Sequence, residues 1–311
     1  MFNLNISSPK NLLEAEKLYD LIIIGAGPAG LSAGIYASRK GLSVGIIGEK
    51  IGGQVNDTSS VENYIGFEFV TGESLAESFS KHTKSLDIDM LENTKVKEIE
   101  KDGTFKIKAD NYMTYESKSI LIATGSKSRK LGVEGEDTLY GKGVTYCAIC
   151  DGPLFKDKVV TVVGGGNSAV EAAIDLSKIA SRVNLVHRST FRADKILIDK
   201  LDAIENVSVY LGNQIQKING SSQVESINLE NDTLNTDGVL VEIGYVPNTQ
   251  FLKEVTLNER KEIVIDSNNQ TNVPGLFAAG DVTTVRFKQI VIAASEGAKA
   301  ALSINDYINN L

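Results

Sequence analysis

Cys147-Ala148-Ile149-Cys150, followed directly by Asp151, holds both cysteines of this 311-residue chain. Two thiols at that spacing can close into a reversible disulfide, and a neighbouring carboxyl can supply protons to a departing thiolate. Two other chemistries use paired cysteines. A structural disulfide belongs to oxidising compartments, and this chain has no further cysteine with which to build a framework. A zinc site needs more ligands, and only His82 and His187 remain, neither at ligand spacing. The residues therefore point to a redox dithiol, Cys147 and Cys150, with Asp151 as general acid/base and no metal. A thiol opening a helical turn has a lowered pKa, which favours exchange. Asp151 could instead cap that turn.

Such a dithiol needs an electron supply, and two segments read as nucleotide sites. Asp20 to Ile24 is a continuous apolar run, as in a parallel strand covered on both faces. It enters Gly25-Ala26-Gly27-Pro28-Ala29-Gly30, an Ala-rich helix through Lys40, and a strand from Leu42 to Ile47. Gly25 serves a tight turn, Gly27 admits a pyrophosphate to the backbone, and Gly30 lets helix and strand pack. The helix N-terminus offers free N–H groups to the phosphates. Val159 to Val163, Gly164-Gly165-Gly166-Asn167-Ser168-Ala169, a second Ala-rich helix and Arg182 to Val186 repeat the unit at a constant offset of 139 residues.

That offset places Glu49 on Arg188. An acid at this position accepts a ribose 2′-hydroxyl and repels a 2′-phosphate, whereas arginine attracts the phosphate. The first unit should hold a nucleotide with a free 2′-hydroxyl, such as FAD or NAD. The second, with His187, Arg188 and Arg192, should hold NADPH.

Ile120 to Ile122 reads as a strand closing on Ala123-Thr124-Gly125, and Ser126 to Lys130 as a polar linker. Gly275 to Ala279 reads as a short strand, followed by Gly280-Asp281 and a C-terminal helix from about Gln289. Phe105 to Tyr115 alternates as in a small antiparallel sheet. His82 falls on an amphipathic helix, on its solvated side. The second unit thus reads as inserted into the first. The expected fold is α/β, with two three-layer Rossmann-like nucleotide domains. An FAD domain would comprise residues 1–126 and 248–311, and an NADPH domain, residues 127–247, would carry the dithiol. A net charge of −8 without a long basic run argues against nucleic acid or an anionic membrane as partner. Met1 to Asp20 lacks the apolar stretch of a signal peptide, and no apolar run approaches the ~20 residues of a membrane span. A cytoplasmic protein is expected.

These motifs together resemble the low-molecular-weight flavoprotein thioredoxin reductases, and also the flavoprotein subunit of alkyl hydroperoxide reductase. The likeness runs from Asp20 to Tyr307. It includes both glycine loops, Gly52-Gly53-Gln54, Val61-Glu62-Asn63-Tyr64, Cys147 to Gly152, His187 to Ala193, and Gly280-Asp281 with Lys288-Gln289. It implies FAD cradled by Gly25, Gly27, Pro28, Ala29 and Gly30, its adenosine ribose held by Glu49. Lys50, Gln54, Asn63, Val96 and Ala123-Thr124-Gly125 would line the rest. Gly280 and Asp281 would meet the ribityl chain, and Lys288, Gln289 and Ile290 the flavin end. NADPH is implied at Gly164, Gly166, Asn167, Ser168, His187, Arg188 and Arg192, in a homodimer built on the FAD domains.

The implied activity is that of an NADPH-dependent thioredoxin-disulfide reductase. Electrons would pass from NADPH through FAD and Cys147/Cys150 to thioredoxin or a similar small dithiol protein. Cys150 would face the flavin and Cys147 the incoming disulfide. The inserted domain would rotate about linkers near residues 126–130 and 245–250, where Gly244 and Pro247 suit a hinge. Ser189 departs from the second arginine many members carry, leaving room for NADH. Gly152-Pro153-Leu154-Phe155, Thr283-Thr284 and Lys288-Gln289-Ile290 lean towards the alkyl hydroperoxide reductase flavoprotein. That flavoprotein, however, has an N-terminal redox domain with its own cysteine pair, so a free-standing reductase is expected. The alternatives are a reductase serving a peroxidase system, one fed by another donor, and a non-catalytic flavin redox sensor.

Overall fold

The computed structural model describes residues 12–58 and 61–311; the first part of the polar segment Met1 to Asp20 lies outside them. The chain divides into two compact units, Met1–Lys127 with Val246–Leu311, and Ser128–Tyr245.

In the first unit, β1 (Leu18–Ile24), β2 (Val44–Gly48), β3 (Asp89–Glu92), β6 (Thr114–Ile122) and β17 (Leu276–Ala278) form a parallel sheet in the order β3-β2-β1-β6-β17. Successive side chains of a strand point to opposite faces. Leu21 and Ile23 therefore pack under α1 (Pro28–Arg39) and α6 (Ile290–Asn309), among Leu31, Ala33, Ala300 and Ile304. Ile22 and Ile24 pack on the other face with Phe105, Ile107, Tyr115 and Val282. Both faces are dry, and this is why the strand reads as an unbroken apolar run. Each fully buried Leu or Ile contributes roughly 1.5–3 kcal/mol.

The antiparallel pairing expected over Phe105 to Tyr115 forms between β4 (Val96–Asp102), β5 (Thr104–Ala109) and β6. It is joined to the parallel sheet rather than standing apart. β6 is nine residues long, so its first half pairs with β5 and its second half with β17. α2 (Gly72–Lys84) buries Leu75 and Ala76 and exposes His82.

The second unit repeats the plan. β8 (Val144–Thr145), β9 (Val159–Val163), β10 (Arg182–His187), β11 (Val207–Leu211) and β15 (Gly238–Val241) run parallel in the order β11-β10-β9-β15-β8. Val160, Val162, Val183 and Leu185 face α4 (Asn167–Ser177) and α5 (Lys195–Asp202). Val144, Val186, Val239 and Val241 face the ribbon of β12 (Lys217–Asn219), β13 (Ser226–Asn228) and β14 (Thr233–Asn235). The remaining helix, α3 (Ala148–Asp151), is a single turn. The two chain crossings are not irregular: β7 (Ser126–Ser128) and β16 (Tyr245–Pro247) pair as a two-stranded sheet. Serine-lysine alternation carries no apolar signal, so sequence reads it as linker.

Helices α1 and α6 meet through small residues. A Cβ on Gly297 would fall 2.0 Å from the Ala29 carbonyl oxygen, so any side chain there must separate the helices. Gly297→Ala should cost about 2–3 kcal/mol of unfolding free energy, measured by urea denaturation.

Candidate active site: two nucleotide cradles and a disulfide turn

The first cradle sits where β1 and β6 end side by side, the switch point at which parallel sheets take ligands. Gly25 has φ +114°, and a Cβ there would lie 2.1 Å from the Ala123 carbonyl oxygen. A Cβ on Gly30 would lie 1.9 Å from the Gly25 carbonyl oxygen. Gly27 is the N-cap of α1 without any side-chain cap, Pro28 opens the helix, and space for a Cβ on Gly27 is empty to 4 Å. Backbone N–H groups of the first turn are thus left free in an open cradle, as a pyrophosphate requires.

Around this loop the fold gathers most of the residues singled out in sequence. Gly280 approaches Ala29, with a Cβ separation that would be 3.0 Å. Asn63 Nδ2 donates to Gln289 Oε1 at 3.3 Å across 226 residues, and Gln289 caps the start of α6 before Ile290. Gln54 Nε2 donates to the Ser126 carbonyl, and Thr124 and Asn248 exchange side-chain-to-carbonyl bonds of 2.8 Å. Gly125 has φ +66°, and Val96 begins β4. Two lysines and the acid are otherwise engaged: Lys50 with Asp57 at 2.7 Å, Lys288 with Glu262 at 3.0 Å, Glu49 with Lys95 at 2.9 Å. Glu49 remains exposed at the end of β2. Asp281 accepts no hydrogen bond from any described residue, and burial lifts its carboxyl to about 6 against the pull of Lys288. Free polar hydroxyls are what such a carboxylate lacks, and the ribityl chain of FAD carries them. These residues fit FAD.

The second cradle is built alike. Gly164 has φ +151°, and a Cβ there would meet the Glu242 carbonyl oxygen at 2.3 Å. Gly166 is the uncapped N-cap of α4, open to 4 Å, and Ser168 is exposed in the first turn. Asn167 is held by Asp194 through bonds of 2.8 and 2.9 Å. His187 ends β10 with its ring against Gly165, stacked on Phe191, and its Nε2 lies 3.2 Å from Ser189 Oγ. Burial and then Arg192 and Arg188 hold its pKa below the ordinary histidine value, so a neutral ring is favoured. Arg192 is pinned by its own N–H to the Gly165 carbonyl at 2.7 Å. Both guanidiniums are exposed and make no ion pair with any described residue. Exposed, unpaired arginines beside a glycine loop fit a 2′-phosphorylated nucleotide.

The dithiol lies at the carboxyl end of the same sheet, just beyond β8. Cys147 and Cys150 are joined as a disulfide, with Cα atoms 5.3 Å apart. Cys147 is the N-cap of α3, and its Sγ accepts the Cys150 N–H at 3.2 Å. Asp151 caps nothing with its side chain. Its Oδ2 accepts the Thr145 hydroxyl, while its enclosed Oδ1 has no partner among the described residues. Burial raises its pKa and the Thr145 bond opposes that rise. An acid so placed holds a proton longer than an exposed aspartate would.

Three functional contacts were missed in sequence. Thr145 bonds both Asp151 and the Cys147 N–H, the latter at 3.2 Å. Glu136 anchors Tyr146 through its hydroxyl at 2.8 Å and accepts the N–H groups of Leu131 and Gly132 at 2.8 and 2.7 Å. Glu242 stands beside Gly164. Its one sequence signal was a carboxyl ending the apolar run Gly238 to Val241.

Two glycine cradles and a cysteine pair on inserted parallel sheets define a class. The profile of the pyridine nucleotide-disulphide oxidoreductases matches residues 19–297, and the chain belongs to that family. It is 47% identical over 304 residues to the F component of alkyl hydroperoxide reductase from Staphylococcus aureus (strain MRSA252), covering 95% of this chain and 60% of that protein. The chain thus spans about 60% of the length of the curated relatives it matches. Thioredoxin reductase from Streptococcus pyogenes MGAS5005 superposes with a TM-score of 0.89 at 37% identity, over 94% of this chain and 99% of that one. Thioredoxin reductase from Giardia duodenalis superposes with 0.90 at 33% identity, over 94% and 100%. Pyridine nucleotide-disulphide oxidoreductases and thioredoxin reductases of this kind use FAD and NADPH. Among the described residues no helix is long and apolar enough to cross a membrane.

The half-buried Asp281 makes pH dependence a measure of the first cradle. Its carboxyl titrates at about 6 folded against 3.8 ordinarily, so the folded state holds the extra proton and loses stability as pH rises between those values. In flavin-free protein, Asp281→Asn should stabilise by on the order of 2 kcal/mol above pH 6. The gain should shrink as pH falls towards 3.8, as read by melting temperature.

Proposed function

We propose that this protein is an NADPH-dependent flavoprotein reductase that passes electrons through Cys147 and Cys150 to thioredoxin or a similar small dithiol protein. The observation that carries this reading is the disulfide turn beside a half-buried Asp151, on the sheet that also forms the second glycine cradle. When bound, NADPH would supply a hydride and FAD the means of passing an electron pair to a disulfide.

The chain's own residues do the rest. Gly164 and Gly166 give the nucleotide backbone contact at the start of α4, and Arg188 and Arg192 meet the 2′-phosphate. Gly25, Gly27 and Gly30 hold the flavin pyrophosphate, and Asp281 accepts a ribityl hydroxyl. When the S–S bond opens, the N–H of Cys150 that already points at Cys147 Sγ stabilises a thiolate there. Asp151, whose carboxyl burial pushes towards the protonated form, gives a proton to the second sulfur and recovers it when the partner disulfide is reduced. Thr145 orients the acid and the Cys147 backbone together.

A second reading has one specific support: the chain is 47% identical to the staphylococcal alkyl hydroperoxide reductase component over 95% of its length. Under it the acceptor belongs to a peroxidase system. NADPH oxidation with oxidised thioredoxin, and separately with a peroxidase protein plus peroxide, distinguishes the two acceptors.

Cys150→Ser should leave bleaching of the flavin by NADPH intact while disulfide reduction falls by more than about a thousandfold; retained turnover overturns the dithiol route. Arg188→Ala with Arg192→Ala should raise the KM for NADPH roughly ten- to hundredfold, since a charge-assisted contact contributes about 1.5–3 kcal/mol. The KM for NADH should hardly move. Equal changes with both nucleotides would remove the 2′-phosphate assignment.

A further inference from the structure

The two glycine cradles differ at one place that the repeat makes comparable. In the first, Ala123 follows β6, donates its N–H to the Ile24 carbonyl at 2.7 Å, and faces Gly25. In the second, Glu242 follows β15, donates its N–H to the Val163 carbonyl at 2.8 Å, and faces Gly164. A methyl group has been replaced by a carboxyl at the carboxyl end of the sheet. β8 lies on the other side of β15, with Leu240 opposite Thr145. Two residues further along each segment stand Glu242 and Cys147. The Glu242 carboxylate accepts the backbone N–H of Ala148, between the two cysteines.

We propose that Glu242 is a positioning residue of the dithiol: anchored on Ala148, its carboxyl takes up one proton when the Cys147–Cys150 disulfide is reduced. This rests on the redox reading of that cysteine pair. A half-buried carboxylate beside the turn opposes a second negative charge there. On reduction by a dithiol reagent, two electrons break the S–S bond and the reagent is oxidised to its own disulfide. One sulfur takes the proton held by Asp151 and the other remains a thiolate; of the two protons the reagent releases, one goes to Glu242 and one to solvent. Burial already holds this carboxyl at about 7, against the pull of the Ala148 N–H. The titratable groups on the elements packed against it are Tyr146, the cysteines and Asp151 from the dithiol segment, and His187 beyond the glycine loop.

The test is the midpoint potential of the disulfide as a function of pH, in the FAD-loaded protein equilibrated with oxidised and reduced dithiothreitol. Above about pH 7, wild type should take up one proton more per electron pair than Glu242→Gln. Below it the two slopes should converge. The glutamine keeps an acceptor for the Ala148 N–H, so a purely structural Glu242 predicts wild-type behaviour, and coincident slopes overturn the proposal. If Glu242→Gln fails to fold, reduced-minus-oxidised infrared spectra of Asp151→Asn decide. A protonated-carboxyl band gained on reduction supports the assignment, and its absence overturns it. If dithiothreitol opens the disulfide in no variant, the redox reading of the cysteines falls instead.

Discussion

Each half of this molecule depends on backbone touching backbone where two parallel strands end. Gly25 and Gly164 each lie against the carbonyl of the residue leaving the neighbouring strand, at distances that leave no room for a Cβ. This contact brings the N-terminus of the following helix over the ends of both strands. Its free N–H groups then face the crevice that parallel sheets reserve for ligands. The unbroken apolar strands, the small residues between α1 and α6, and the alternating burial on each sheet all serve to hold that contact.

Charge does different work in the two cradles. In the first, Glu49 follows β2 and Asp281 accepts no hydrogen bond from any described residue. In the second, Arg188 follows β10, Arg192 makes no ion pair with any described residue, and burial with the two guanidiniums holds the His187 pKa below its ordinary value. Under the proposed function, one scaffold would present an acceptor to a hydroxyl and guanidinium groups to a phosphate. The disulfide turn adds a third environment at the end of the second sheet. There burial raises the pKa of both Asp151 and Glu242.

Burial accounts for these raised acids more than any specific partner does. Burial outweighs every other influence on Asp151, Glu242 and Asp281, and the hydrogen bonds or lysine that oppose it only reduce the effect. A carboxyl at the mouth of a parallel sheet is screened on both sides by apolar layers. A protein handling thiolates gains from acids that give up protons near neutral pH.

The glycine loops, the Cys147-to-Cys150 spacing and the Glu49/Arg188 exchange were legible in the chain alone. Each is a matter of local spacing or backbone freedom, and the repeat at a constant offset made them comparable. The strand and helix assignments followed from periodicity for the same reason. What periodicity does not carry is which distant residues meet. The join of β5 and β17 along one long β6, the pairing of the two crossings, Asn63 with Gln289, Tyr146 with Glu136, and Glu242 with Ala148 were settled by the tertiary structure. These contacts join segments with no shared local pattern, and only the packed sheets bring them within hydrogen-bonding reach.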